Sequence, residues 1–147
     1  EEGLEQAVKA LQPMVALAEE HGVVLQMELF NSIVDHPDYM ADSSRWGIEL
    51  ARALNSPSFK LLYDIYHMQI MEGNLVANIK ENHQWYGHYH VAGVPGRNEP
   101  WEAQEINYPA VMAAIESTGF NGYVALEYLF TTNKKESMAR SFTEFIR

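Results

Sequence analysis

The chain has 147 residues, a formal net charge of −10 and no cysteine. The absence of thiols excludes disulfides, thiolate metal sites and a cysteine nucleophile, and an acidic chain with scattered basic residues disfavours a nucleic-acid partner. Because its sequence contains no apolar run long enough to cross a bilayer and no signal-peptide pattern, we expect no membrane partner and a cytoplasmic location.

The first half of the chain predicts two helices, each followed by a strand. Apolar residues recur at helical spacing over residues 1–20, where Pro13 should kink the helix or mark a helix start. Residues 23–29 (VVLQMEL) predict a short buried strand. An N-cap at 42–44 precedes a helix that runs through Leu54, and residues 59–64 (FKLLYD) predict the second strand.

The second half continues the same alternation. Its predicted elements are, in order, a helix at 74–83, a strand at 86–92 (YGHYHVA), a Gly- and Pro-rich loop at 93–107, a helix at 108–118, a strand at 123–128 (YVALEY) and a helix at 134–146. Strict alternation with apolar strands predicts an α/β fold of parallel βαβ units with right-handed crossovers. Since no linker interrupts the pattern, we expect one domain over residues 1–147.

Two architectures satisfy this pattern, an open doubly wound sheet and a part of a barrel. A dinucleotide-binding open sheet needs a Gly-rich turn after a strand, and no strand here is followed by one. The periodicity does not decide between the remaining forms.

One metal-capable side chain lies near the C-terminal end of each predicted strand. These residues are Glu28, Asp64, His90 and Glu127. Taken singly, a strand-end Asp is often a helix cap and a strand His is often a core group. In parallel α/β folds the C-terminal strand ends converge, however, so four such residues predict a common centre. Three carboxylates and one imidazole suit a divalent cation such as Mg²⁺ or Mn²⁺, with Zn²⁺ or Co²⁺ as alternatives.

These residues lie in motifs that together resemble the xylose-isomerase-like TIM-barrel superfamily. The motifs are ELFN from Glu28, DIYHMQIMEGN from Asp64, HYHVAGVPGRNEP around His90, INYP, and VALEY around Glu127. The PGRNEP and EINY pieces are most similar to the hydroxypyruvate isomerase group. The resemblance implies a parallel (β/α) half barrel, the C-terminal four strands of a TIM barrel.

The resemblance also implies roles for individual residues. It makes the four strand-end residues the metal ligands and gives Glu28 and Glu127 the transfer of a proton. It makes His67 and Arg97 substrate-contacting residues. Asn31, Glu99 and His88 are weaker candidates for the substrate site, expected behind the residues that touch the substrate.

Two of these residues have alternative interpretations on spacing alone. His67 is expected in the strand-to-helix loop, where it donates to a substrate oxygen or caps a helix. The planar guanidinium of Arg97 grips a carboxylate or hydroxyl groups, or forms a surface ion pair with Glu99 or Glu102.

The predicted function is a divalent-metal-dependent isomerase of a small hydroxy-carbonyl compound, similar to hydroxypyruvate isomerase, that moves a proton through an enediolate. Its substrate would be a small sugar or a hydroxy-keto acid. Hydroxypyruvate isomerases often carry Gln at the position of His90, whereas ketose 3-epimerases carry His. A ketose 3-epimerase therefore stays open as an alternative. A sugar dehydratase, which starts with the same proton abstraction, and a non-catalytic truncated barrel half stay open as well. The endonuclease branch is disfavoured, because it needs more histidines and a basic surface.

The half barrel also leads to an expectation about partners. Four strands would leave two open sheet edges and an apolar inner surface. We therefore expect self-association or pairing with a missing N-terminal half.

Overall fold

The computed structural model describes residues 1–101 and 103–145. Its elements are α1 (Glu2–His21), β1 (Leu25–Glu28), α2 (Ser44–Leu54), β2 (Phe59–Asp64), α3 (Ile65–Met71), α4 (Leu75–Asn82), a 3₁₀ turn (His83–Trp85), β3 (Tyr86–Val91), α5 (Tyr108–Ser117), β4 (Val124–Leu126) and α6 (Lys134–Phe145). The predicted helix end at Ile146 and the ion-pair candidate Glu102 lie outside the described residues.

The four strands form one sheet in the order β1-β2-β3-β4, and every neighbouring pair is parallel. Asp64 lies opposite His90 in the register of β2 and β3. Glu127 follows the last residue of β4, and its backbone N–H donates to the carbonyl of Val91 at 3.0 Å. The α/β prediction with parallel strands is therefore confirmed.

Local signals explain where several helices begin and end. The Ser43 side chain accepts a hydrogen bond from the backbone of Trp46 and starts α2, and the Asn107 side chain accepts from the backbone of Ala110 at the start of α5. Helix α1 continues through Pro13 as a single element, so the alternative in which Pro13 starts a helix is wrong.

The core lies between the sheet and the helices that cover one of its faces. Its fully buried side chains include Leu29, Leu50, Leu61, Tyr63, Ile65, Met68, Ile79, Tyr89 and Val91. Helix α2 approaches the sheet closely, since a Cβ on Gly47 would lie 2.9 Å from Leu29 Cδ2. A side chain at this position would therefore push α2 away from the core.

The opposite face of the sheet is the inner face of the half barrel. Register and strand alternation place Gln26, Lys60, Leu62 and His88 on the same face as Glu28. The predicted apolar inner surface is therefore present only in part, because Gln26, Lys60 and His88 are polar while Leu62 is apolar. Most apolar residues of the strands point towards the helices and form the core, and the sequence alone does not show which face they occupy.

One helix was not predicted. Helix α3 (Ile65–Met71) follows β2 directly, and its sequence IYHMQIM is too short and too apolar to show a helical period. It begins because the Asp64 side chain accepts hydrogen bonds from the backbone of Tyr66 and His67. Among the described residues, every helix is too short or too polar to span a membrane.

Candidate metal centre

The four strand-end residues meet at one point above the sheet. One ligand atom from each of Glu28, Asp64, His90 and Glu127 can be chosen so that all four atoms lie within 4.8 Å of one another. Within residues 1–101 and 103–145 this is the one group of such residues compact enough to hold a metal ion. The convergence predicted from parallel strands is present, while the role of each residue stays a proposal.

The two carboxylate oxygens of Asp64 have different surroundings: one caps a helix and the other faces the centre. Oδ1 accepts from the backbone N–H groups of Tyr66 at 2.8 Å and His67 at 3.2 Å, and so caps α3. Oδ2 is buried and has no hydrogen-bond partner among the described residues. Burial raises the pKa of Asp64 to about 7. An uncompensated buried carboxylate oxygen is costly, and a cation at this point would remove that cost.

His90 bridges the two glutamates. Its Nδ1 lies 3.2 Å from Glu28 Oε1 and 3.1 Å from Glu127 Oε2. Burial lowers the pKa of His90, but the hydrogen bond to Glu28 and the charge of Glu127 outweigh burial and raise it above its ordinary value. Burial likewise raises the pKa of Glu28, yet the hydrogen bond and charge of His90 bring it below its ordinary value. Nδ1 thus holds both carboxylates at the centre.

Arg97 brings a positive charge to the edge of the centre. Its guanidinium donates to Glu127 Oε2 at 2.5 Å and lies 3.7 Å from Asp64 Oδ2. It also lies over the ring of Tyr66, 5.3 Å from the ring centroid. The backbone of Arg97 adopts φ +56°, and its carbonyl accepts from the N–H of Leu129 at 2.7 Å. The predicted alternative, an ion pair with Glu99, is wrong because the guanidinium points to Glu127.

His67 is buried in α3 and is not in an open strand-to-helix loop, so that expectation is wrong. The cap at Asp64 starts the helix at Ile65 and carries His67 into the interior. Its Nδ1 accepts from the backbone N–H of Asn31 at 3.0 Å, and its Nε2 lies 3.8 Å from Asp64 Oδ2. Burial and the charge of Arg97 lower the pKa of His67 to about 4, so the ring is neutral near pH 7.

Asn31 and His67 were singled out separately, but the sequence contains a signal that pairs them. Each lies three residues after a candidate ligand at the end of neighbouring strands, Asn31 after Glu28 and His67 after Asp64. Equal offsets from neighbouring parallel strands place two residues side by side. The structure brings them together, with both side chains fully buried.

Glu99 lies apart from the centre. Its carboxylate accepts from the Thr131 hydroxyl at 2.7 Å, the Thr131 backbone N–H at 3.0 Å and the Ser137 hydroxyl at 3.0 Å. Burial raises the pKa of Glu99, but these hydrogen bonds outweigh it and lower the pKa to about 2. The contacts therefore tie the 93–107 loop to the start of α6 and leave the predicted contact with substrate unsupported.

A cavity of about 500 Å³ opens beside the centre. Its lining includes Asp35, His36, Tyr66, Arg97, Glu127 and Tyr128. Asp35 Oδ2 accepts from the Asn31 amide at 2.7 Å and from the Tyr66 hydroxyl at 2.8 Å. Burial raises the pKa of Asp35, but these two hydrogen bonds outweigh it and lower the pKa below its ordinary value. Sequence reasoning did not identify Tyr66 or Asp35 as site residues: Tyr66 lies inside the DIYHMQIMEGN motif but was given no role, and Asp35 lies in an acidic loop outside the motifs.

The donor set fits a divalent cation. It offers carboxylate oxygens from three residues and one imidazole nitrogen, a combination typical of hard or borderline metals. The unpaired Oδ2 of Asp64 is an independent sign, since buried polar atoms normally have a partner. The residues therefore support a divalent-metal site without specifying which metal binds.

Comparison with known proteins agrees with this arrangement. The family model described as xylose isomerase-like TIM barrel matches residues 1–147. The hydroxypyruvate isomerase of Escherichia coli is 35% identical over 106 residues, which cover 72% of this chain and 40% of that protein. The 2-oxo-tetronate isomerase of Pectobacterium atrosepticum is 34% identical over 108 residues, covering 74% and 40%. The chain thus spans about 40% of the length of these relatives.

Solved structures give the same fold. A crystal structure of an AP endonuclease of family 2 from Brucella melitensis superposes with a TM-score of 0.89 at 27% identity, over 96% of this chain and 54% of that chain. The IOLI protein, solved with a binding zinc atom, has a TM-score of 0.75 at 19% identity over 95% and 54%, which shows a shared fold alone. With the whole-chain match and the strand-end centre together, the chain belongs to the xylose isomerase-like TIM-barrel family.

Proposed function

We propose that this chain carries the divalent-metal site of an isomerase that acts on a small hydroxy-carbonyl compound, as hydroxypyruvate isomerase does. The observation that carries the proposal is the convergence of ligand atoms from Glu28, Asp64, His90 and Glu127 within 4.8 Å. The relatives named hydroxypyruvate isomerase and 2-oxo-tetronate isomerase support the reaction class. Mg²⁺ or Mn²⁺ is the proposed cation, given a donor set dominated by carboxylates.

The central step of such a reaction is removal of a proton from carbon next to a carbonyl. A bound divalent cation would supply Lewis-acid stabilisation of the negative charge that develops on oxygen. Glu28 and Glu127 are proposed to move the proton, one taking it and the same or the other returning it to the neighbouring carbon. Both side chains lie at the centre, and His90 Nδ1 contacts both, which fixes their carboxylates relative to each other.

Two further side chains are proposed to orient the substrate. Arg97 lines the cavity beside the centre and presents several N–H donors to a carboxylate or hydroxyl group of the substrate. His67 is neutral and buried next to Asp64, where it donates to a substrate oxygen.

The metal site is tested most directly by thermal unfolding. The full chain is treated with EDTA and then titrated with Mn²⁺ or Mg²⁺, alongside Glu127→Gln and the exposed-site control Glu20→Gln. A ligand bound only by the folded state raises the midpoint by mass action. We expect a metal-dependent rise in Tm for wild type and the control that Glu127→Gln loses.

Activity is then assayed by following consumption of hydroxypyruvate and, in parallel, of ketoses by the metal-loaded protein. A Tm that ignores added metal in wild type would contradict the metal site. A metal-dependent Tm without turnover of either substrate class would contradict the proposed isomerase while leaving the metal site in place.

A further inference from the structure

The amide of Asn31 is fixed in one orientation by its surroundings. Its Oδ1 accepts from two backbone N–H groups, those of Val34 at 3.0 Å and Asp35 at 2.9 Å. Its Nδ2 therefore faces the other way, where it lies 2.7 Å from Asp35 Oδ2 and 2.7 Å from His67 Nδ1. Because a carbonyl oxygen cannot donate and the amide nitrogen cannot accept, rotating the amide by 180° would break these bonds.

Asn31 thereby offers two donors to one ring nitrogen of His67. The backbone N–H lies 3.0 Å from Nδ1, and the side-chain N–H₂ lies 2.7 Å from the same atom. A ring nitrogen that carries a proton cannot accept a hydrogen bond. Both contacts are satisfied only when Nδ1 keeps its lone pair, so the proton of the neutral ring lies on Nε2.

The protonated nitrogen faces the metal centre. His67 Nε2 is buried without a hydrogen-bond partner among the described residues, and so is Asp64 Oδ2. The two atoms lie 3.8 Å apart, which is too far for a direct hydrogen bond. A donor that is buried and unpaired beside the proposed metal ligands is available to an oxygen atom brought by a ligand.

From this geometry we infer that Asn31 is a positioning residue that fixes the tautomer of His67, so that His67 donates from Nε2 to a substrate oxygen and does not act as a base. The part concerning the substrate rests on the proposed function. The part concerning the tautomer does not. Asn31 is fully buried and its side-chain polar atoms are engaged by the protein, an arrangement that suits support of His67 and not direct contact with substrate.

The tautomer can be measured without any enzymatic assay. Long-range ¹H–¹⁵N correlation spectra of the full ¹⁵N-labelled chain distinguish a protonated from an unprotonated ring nitrogen by chemical shift. The His67→Gln variant assigns the His67 signals by their loss. We expect wild type to show an unprotonated Nδ1 and a protonated Nε2 at neutral pH. A protonated Nδ1 in wild type would overturn the inference, whatever the variants do.

Two variants separate positioning from general structural support. Asn31→Asp keeps the backbone N–H but replaces the side-chain donor with a charged acceptor oxygen at the shorter of the two contacts, and we expect the proton of His67 to move to Nδ1. Asp35→Asn removes a neighbouring carboxylate but keeps both donors of Asn31, and we expect an unchanged tautomer. If Asn31→Asp folds and leaves Nε2 protonated, the side chain of Asn31 does not set the tautomer, and the inference that Asn31 is a positioning residue is overturned.

Turnover gives the second readout. Residues that hydrogen-bond behind metal ligands typically change activity by roughly 10–100-fold when mutated, and we apply the same range to a residue behind a substrate contact. We expect Asn31→Asp to lower kcat by that factor while the metal-dependent rise in Tm persists. Unchanged kcat together with a moved proton would overturn the donor role of His67. Absence of turnover in wild type would count against the proposed function, and the spectra would still decide the tautomer.

Discussion

Two groups of side chains in this protein are built around carboxylates, and they differ in how those carboxylates are satisfied. Glu99 lies among hydroxyl and N–H donors of Thr131 and Ser137, all supplied by the chain. At the strand ends, Asp64 Oδ2 has no hydrogen-bond donor among the described residues, although Glu28 and Glu127 add further negative charge nearby. Both groups are compact and both are partly or fully buried.

The contrast teaches how to distinguish a structural carboxylate from a binding one. Donors from the chain stabilise the charged form of Glu99 and lower its pKa to about 2. Burial raises the pKa of Asp64 to about 7, which means that the chain does not stabilise its charge fully. Glu99, whose charge is stabilised by donors from the chain, links two segments of the protein. Asp64 needs a further charge-stabilising group that the chain does not supply.

The largest expected effect is a loss of catalytic activity when a glutamate of the strand-end group is replaced. If Glu28 and Glu127 transfer the proton, Glu28→Gln and Glu127→Gln should each lower kcat by roughly 10²–10⁴-fold, the range of general acid–base catalysis. Steady-state kinetics of wild type and both variants in the same excess of Mn²⁺ or Mg²⁺ measure this, with Glu20→Gln as an exposed control on α1. Circular dichroism should show an unchanged fold, and activity within tenfold of wild type would refute the assignment.

A smaller effect is expected on stability at the other group. Glu99→Gln removes an acceptor oxygen from the buried hydroxyl of Ser137 or from Thr131, and leaving such a group unpaired costs about 1–3 kcal/mol. Urea unfolding should show that loss, compared with Glu136→Gln on the exposed first turn of α6. The metal-dependent rise in Tm should survive in Glu99→Gln. Its disappearance would show that the two groups are not independent.

The smallest effect is a pH dependence of stability. The pKa of Glu99 is about 2 in the folded chain, below its ordinary value of 4.5. A carboxyl with a lowered folded-state pKa stabilises the fold above its unfolded-state pKa, and this contribution disappears as the pH falls through the folded-state pKa. The difference in unfolding free energy between wild type and Glu99→Gln should therefore shrink between about pH 5 and pH 2. A constant difference would contradict the lowered pKa.

The succession of strands along the chain and the polar residues at their ends could be predicted from the apolar pattern, whereas the half-barrel arrangement of the strands came from the family resemblance. Apolar runs mark the strands, and a polar residue at the end of each run is visible against them. Parallel pairing then forces Asp64 and His90 next to each other without any knowledge of side-chain conformations. The position of these residues is thus a property of the backbone topology.

Other features of the structure depend on contacts between residues far apart in the chain or on single hydrogen bonds, and hydrophobic periodicity does not reveal these. Helix α3 owes its start to one oxygen of Asp64, and its seven residues are too few to show a pattern. The direction of Arg97 depends on a backbone with φ +56° held by Leu129, far along the chain. The tight binding of Glu99 by Thr131 and Ser137 needs a loop and a helix to meet, which spacing along the sequence does not reveal.

The two oxygens of Asp64 link the stability of helix α3 to the candidate metal centre. Because Oδ1 caps α3 and Oδ2 faces the centre, Asp64→Ala would remove a proposed metal ligand and also destabilise the start of the helix that carries His67. Asparagine keeps the capping oxygen but gives up the charge. Asp64→Asn is therefore expected to keep α3 in place while weakening metal binding, so that one substitution separates the two tasks of this side chain.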